Sequence, residues 1–136
     1  MIEINDLYDY AEDRGIETDY FKTNHAPALS VLIDGEMCVA INPAMIESTA
    51  DEKVKLAHEI GHCETGSFYN RRSPNEIIKK CENRANKWAI KKLIPKDELE
   101  KAVKNGIFEF WDLAEHFNVT ENFIRKAILF YWSGHL

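Results

Sequence analysis

Thr49-Ala50-Asp51-Glu52-Lys53-Val54-Lys55-Leu56-Ala57-His58-Glu59-Ile60-Gly61-His62-Cys63-Glu64 is the stretch that decides how this chain folds. Thr49 and Glu52 have the spacing of a capping box, in which a hydroxyl and a carboxylate satisfy orphan backbone donors at a helix start. The helix they open is predicted to run through Lys53 to about Glu64, with Gly66 as its terminator. At about 100° per residue, His58 and His62 lie about 40° apart and one turn along, so both imidazoles can reach a single ion. Leu56, Ala57, Ile60 and Gly61 cluster on the other side and would bury the helix. Glu59 stands off the ligand line, where it can take a proton from a water activated by that ion. With 5 histidines and 15 glutamates in the chain, random order would supply such a His-Glu-x-x-His match about 2% of the time.

A catalytic zinc usually takes a third protein ligand and leaves a fourth position for water. Downstream, Ser73-Pro74-Asn75-Glu76 reads as another capping box with proline at the favoured first helical position. The helix it opens places Ile78, Cys81, Ala85, Trp88 and Ala89 on one face and ends before Pro95. Glu82 borders that face, 20 residues after His62, and is the candidate third ligand, although Glu64 and Glu76 also lie downstream. Asn86, one turn beyond Glu82, could accept a hydrogen bond from the second nitrogen of a liganding histidine and so fix its tautomer.

Working outward, residues 2–14 are predicted as a helix with Ile4, Leu7, Tyr8 and Ala11 on one face and Gly15 as the stop. A hairpin follows, with strands at 28–33 and 37–41 around Asp34-Gly35, a pair suited to a type I′ turn, and Glu36 opening the return strand. A short strand near Tyr20-Phe21 is weakly signalled. Beyond Pro95, helices are expected over 96–104, 110–117 and 121–131, the last behind a Thr120 cap. The order is helix, hairpin, then helices. It indicates an α+β fold with a small antiparallel sheet, in a single domain spanning 1–136.

Composition agrees with one domain: 136 residues, 15.8 kDa, 45% hydrophobic, with 15 aromatic side chains, fill one ordinary core without disulfide staples. Three cysteines without CxxC spacing imply no disulfide framework. A net charge of −6 argues against non-specific binding to nucleic acid or anionic membrane. The longest apolar stretches, such as 127–132, are too short to cross a bilayer, and the N-terminal residues lack the pattern of a signal peptide. A cytoplasmic protein is the expectation. The charge is uneven, with a net of −10 over residues 1–70 and +6 over 71–104, and the basic middle reads as a solvated helix face.

The segment Leu56 to His62, followed by Glu82-Asn83-Arg84-Ala85-Asn86-Lys87-Trp88-Ala89 and Leu93-Ile94-Pro95, resembles the ImmA/IrrE family of metallo-endopeptidases. The opening Tyr8-Asp9-Tyr10-Ala11-Glu12-Asp13-Arg14-Gly15-Ile16 is similar to that family's N-terminal helix. The resemblance implies a reduced zincin-like fold, Zn2+ held by His58, His62 and Glu82, and Glu59 as the catalytic glutamate. It further implies a protein substrate, because characterised members cleave, or are needed to relieve, a partner repressor with a helix-turn-helix domain. Members commonly come from phages, integrative elements and bacterial stress-response operons. The rival class is a protein-binding module that grips a repressor or toxin without proteolysis.

Several other residues need placing. The stretch 112–123 has the rhythm of a helix-turn-helix, within a helical C-terminal segment at 105–136. Its second helix offers only Arg125 and Lys126 as cations, so packing or a protein partner is expected there rather than DNA. Trp111, Phe117, Phe123, Phe130 and Trp132 are expected in the core. His25, His116 and His135 have no spacing that joins them to a site, Cys63 points about 100° away from His62, and Cys81 reads as core. An oxyanion-stabilising group is expected in such a protease, and Tyr69, Arg71 and Arg72 are its candidates.

Overall fold

The computed structural model describes residues 1–22 and 25–134. Helix α1 (Ile4–Asp13) buries Leu7 and Ala11 and hands over through Gly15 to strand β1 (Ile16–Tyr20). Strands β2 (Ala28–Ile33) and β3 (Glu36–Ile41) form the expected antiparallel hairpin, with Ile33 paired to Glu36. Asp34 and Gly35 both have positive φ, +51° and +80°, as a type I′ turn requires.

The sheet departs from the expectation in one respect. Its order is β1-β3-β2, and β1 runs parallel to β3, so it is mixed rather than wholly antiparallel. The early strand covers residues 16–20 rather than centring on Tyr20-Phe21. It was hard to read because Ile16 is its one fully buried side chain, which leaves little alternation to detect. The parallel pairing leaves β3 in the centre with Val39, Ala40 and Ile41 buried, and makes β2 an edge strand.

A 3-10 turn (Pro43–Met45) leads to α2 (Thr49–Thr65), followed by α3 (Asn75–Leu93), α4 (Lys96–Lys104), α5 (Phe110–Phe117) and α6 (Glu121–Ser133). Two capping boxes do not form as expected. Ser48, one residue earlier, caps α2 by accepting from the Asp51 amide at 3.1 Å, because Glu52 is drawn away by the Tyr8 and Tyr20 hydroxyls at 2.6 and 3.2 Å. At α3 the cap position is Pro74, while the Ser73 hydroxyl instead accepts from the Asn70 amide inside the preceding loop at 3.1 Å. Thr120 caps α6 as expected, accepting from the Phe123 amide at 3.2 Å, and Gly66 ends α2 in the left-handed conformation.

Helix α2 lies at the centre, and the buried cluster runs from Leu7 of α1 to Ala127 of α6. Phe117 and Phe123 join this core and Phe130 packs against it, but Trp111 and Trp132 are 59% and 57% exposed and do not belong to it. Their helices bury the Leu113/Ala114/Phe117 and Phe123/Ile124/Ala127 faces instead. The C-terminal pair is tied down by two polar bonds. Lys53, fully buried on α2, donates to the Phe117 carbonyl at 2.7 Å, where a cation is favourable at the end of α5. Tyr131 donates to the Ile94 carbonyl at 2.6 Å. Among the described residues, no helix is long and apolar enough to cross a membrane.

Helices α2 and α3 approach closely at Gly61. A Cβ there would stand 2.7 Å from the Ala85 carbonyl oxygen and 3.1 Å from its Cα. Glycine inside a helix costs about 0.5–1 kcal/mol relative to alanine, so the position trades helix propensity for backbone contact. Gly61→Ala should therefore destabilise the protein by about 1–3 kcal/mol, as overpacking does, despite the better helix former. Thermal melting checks this; an unchanged or raised melting temperature would show that the two backbones are free to part.

Candidate metal centre

Three side chains from two helices converge beside this contact. His58 and His62 of α2 bring their Nε2 atoms to 3.1 Å of each other. Glu82 of α3 places Oε2 2.8 Å from His58 Nε2 and Oε1 3.2 Å from His62 Nε2. The structure thus brings together the three residues that the sequence singled out as candidate ligands. Glu64 is elsewhere, held by Arg14 Nε at 3.1 Å and by the Tyr10 hydroxyl at 2.7 Å, and Glu76 is exposed at the start of α3.

The second nitrogens decide what the first can do. His58 Nδ1 lies 2.8 Å from Asn86 Oδ1, the partner expected of Asn86, and His62 Nδ1 lies 2.7 Å from the Ser67 carbonyl oxygen. Both partners accept, so each Nδ1 is the donor and each neutral imidazole turns an Nε2 lone pair toward the other ring. Two lone pairs and a carboxylate facing one another need a cation between them. Tetrahedral zinc with nitrogens at about 2.0–2.1 Å sets its ligand atoms roughly 3.3 Å apart, close to the spacing found. The donor set therefore fits a borderline metal such as zinc.

The electrostatics point the same way. Where an Nε2 carries a proton it donates to Glu82 instead of offering a lone pair, and such bonds from His58 and His62, and less so from Tyr69, hold the Glu82 carboxyl well below the usual carboxylate range. For His62, burial works against charge, but Glu82, the Ser67 carbonyl and Glu59 outweigh it and raise its pKa. The shift favours a proton on His62 beside the carboxylate, and a metal ion bound there would compete with that proton.

Glu59 does not join the triad. It is 9% exposed, and its Oε1 accepts from the Ser30 hydroxyl of β2 at 2.8 Å. Burial raises its carboxyl above the ordinary value, while His58, Ser30 and His62 pull the other way. A cavity of about 630 Å³ is lined by Glu59, the triad, the β2 residues 28–31 and the loop after α2, including Tyr69 and Arg71. The Tyr69 hydroxyl donates to Glu82, and its ring lies 5.9 Å from that of His62; of the three oxyanion candidates, Arg72 does not line the cavity.

Two contributors escaped sequence reasoning. Ser67 acts through its backbone carbonyl, which no residue type advertises. Ser30 is the polar residue of an otherwise apolar strand, a signal that could have been followed. Cys63 is buried, which pushes its thiol up to about 12, and Cys81 is buried as expected. His25 and His116 are exposed and outside the cluster, and His135 lies outside the described residues.

One divalent ion per chain is the expected stoichiometry. His62→Ala and Glu82→Ala should each abolish tight binding, Asn86→Ala should weaken it by about 10–100-fold, and Glu76→Ala should leave it unchanged. Because His62 has a raised pKa, affinity should fall as pH drops through that pKa, with proton release on binding. Zinc titration calorimetry in buffers of different ionisation enthalpy reads both; pH-independent affinity between 5 and 8 would contradict the proton-displacement account.

No curated protein and no solved structure matches the chain. The model of the IrrE N-terminal-like domain, Peptidase M78, matches residues 11–129, a span that takes in every residue of the triad, Glu59, Ser30 and Asn86. With a His/His/Glu donor set at its centre and that match over most of its length, the chain belongs to the IrrE N-terminal-like family of metallopeptidases.

Proposed function

We propose that this protein is a zinc-dependent endopeptidase that cuts a partner regulatory protein, a helix-turn-helix repressor being the expected substrate. One observation supports this above others: a buried carboxylate outside the donor set, Glu59, shares a cavity with that set and with the edge strand β2. A purely structural metal site would need neither. His58, His62 and Glu82 would hold a zinc ion, which would supply Lewis acidity toward a carbonyl and a water.

The remaining roles fall to the chain itself. An extended peptide pairs its backbone with the outer edge of β2, which fixes its register across the cavity without demanding particular side chains. Glu59 accepts the proton of the attacking water and returns it to the departing amine. Its raised pKa suits both halves of that task, since a base nearer the working pH is also the better acid. Ser30 holds one carboxylate oxygen of Glu59, leaving the other to face the reacting atoms. Tyr69 is the favoured group to donate to the developing oxyanion, because its hydroxyl lies beside the triad and could turn its one proton from Glu82 to the oxyanion.

Glu59→Gln keeps the size of the side chain and removes the proton acceptor. We expect zinc content and melting temperature close to wild type, with cleavage lowered by about 100-fold or more. Incubation with a helix-turn-helix repressor encoded beside this chain's gene, read as fragments on a gel, is the assay. A Glu59→Gln protein that cuts at the wild-type rate would remove Glu59 from the mechanism. A zinc-loaded wild type that binds the repressor and never cuts it would favour the binding module.

A further inference from the structure

The space around the triad does not end at the metal ligands. A second cavity, of about 510 Å³, shares Ala28, His58, Glu59 and Glu82 with the first and continues past them. Its other wall comes from the C-terminal pair, with Asn122, Phe123 and Lys126 of α6 facing Asp51, Val54 and Lys55 of α2. Val54 and the buried Phe123 supply apolar surface. The polar groups are unequally engaged. Asp51 is already satisfied, its Oδ2 accepting from Lys55 Nζ at 2.8 Å and from the Glu47 amide at 3.0 Å. Lys126 and Asn122 stand one turn apart on α6, and among the described residues neither has an ion-pair or hydrogen-bond partner. Away from the metal site and its base, the cavity thus carries one neutralised acid–base pair and one uncompensated ammonium with an amide beside it.

We propose that this second cavity is a substrate subsite for a carboxylate-bearing side chain on the C-terminal side of the scissile bond, and that Lys126 selects it. The proposal rests on the endopeptidase function proposed above. Orientation follows from β2, which runs from Ala28 to Ile33 with its outer edge unpaired by any strand among the described residues. Antiparallel pairing is the more stable arrangement per residue, and a peptide so paired enters over Val31 and Ser30 and leaves past Ala28 and Pro27. Pro27 and Ala28 line the second cavity, so the residues after the scissile bond arrive there. An aspartate or glutamate would meet the Lys126 ammonium and the Asn122 amide, both of which donate. A lysine or arginine would meet the Lys126 ammonium with no free carboxylate beside it, since Asp51 is already paired with Lys55. The helix-turn-helix-like segment, poor in the cations that DNA demands, thereby takes a part in choosing the protein that is cut.

The test uses the zinc-loaded full chain in two assays. In the first, wild type and Lys126→Glu digest a random peptide library, and the new N-termini are sequenced. Wild type should enrich Asp and Glu about three- to fivefold at one of the first three positions after the cut, the scale of a solvent-accessible ion pair. Lys126→Glu should lose that enrichment and favour Lys and Arg, and added salt should flatten both profiles. An acidic preference that persists in Lys126→Glu, a basic or absent preference in wild type, or an acidic preference confined to the N-terminal side of the cut would overturn the proposal. The second assay reads binding without turnover. In the Glu59→Gln background, fluorescence anisotropy compares a labelled peptide Ala-Ala-Ala-Glu-Glu-Ala with its Gln-Gln counterpart. The acidic peptide should bind about three- to fivefold more tightly, with the difference abolished by Lys126→Glu; equal affinities would overturn the subsite. If the library is untouched by wild type yet the acidic peptide still binds through Lys126, the peptidase function fails while the subsite stands. Cleavage without charge preference is the converse.

Discussion

The contact of Gly61 with the Ala85 backbone sets the position of everything that could do chemistry here. Two histidines on one helix define a direction but not a site; a third donor must come from another element at a fixed height and distance. With a Cβ forbidden at residue 61, α2 and α3 approach closely enough for the Glu82 carboxylate to meet both Nε2 atoms at 2.8 and 3.2 Å. A wider separation of α3 from α2 would weaken the hold of Glu82 on both histidines. The glycine in the His-Glu-Ile-Gly-His run is therefore a packing residue with a chemical consequence.

Around that contact the polar groups are arranged so that each charge or lone pair has a reason to stay where it is. Asn86 and the Ser67 carbonyl orient the imidazoles, Ser30 orients Glu59, and Tyr69 braces Glu82. These supports come from α3, from β2 and from the loop after α2, so the geometry depends on the tertiary fold as a whole rather than on one motif. Among the described residues, no buried side-chain nitrogen or oxygen lacks a hydrogen-bond partner. That is the condition under which a low-dielectric polar network gains rigidity instead of costing stability.

The C-terminal helices show how one segment can carry two kinds of signal. Their helix-turn-helix rhythm is real at the level of elements, with Asn118 in the left-handed conformation between α5 and α6. Their placement is toward the candidate metal site, with α5 pinned by Lys53 and α6 lending Phe123 and Lys126 to the cavity wall. A helix pair reads DNA when it presents a row of cations outward, and α6 presents only Arg125 and Lys126. The pair's exposed surface also holds Trp111, Leu129 and Trp132.

The sequence by itself determined the elements and the chemistry they carry. Helical spacing put His58 and His62 on one face, Asp34-Gly35 marked the hairpin, and the helix bounds at 96–104 and 110–117 were legible from prolines, glycines and apolar period. Those features are local, written within a few residues by backbone sterics and hydrogen-bonding needs. Three things were decided only in three dimensions. Glu82 rather than Glu64 or Glu76 meets the histidines because Arg14 and Tyr10 claim Glu64 from another helix and because Glu76 stays in solvent. The caps of α2 and α3 shifted because Tyr8 and Tyr20 take Glu52, and the loop at Asn70 takes Ser73. The parallel pairing of β1, the carbonyl of Ser67 and the exposure of Trp111 and Trp132 belong to the same class. In each case a side chain or backbone group had more than one local option, and a partner distant in sequence supplied the free energy that chose among them.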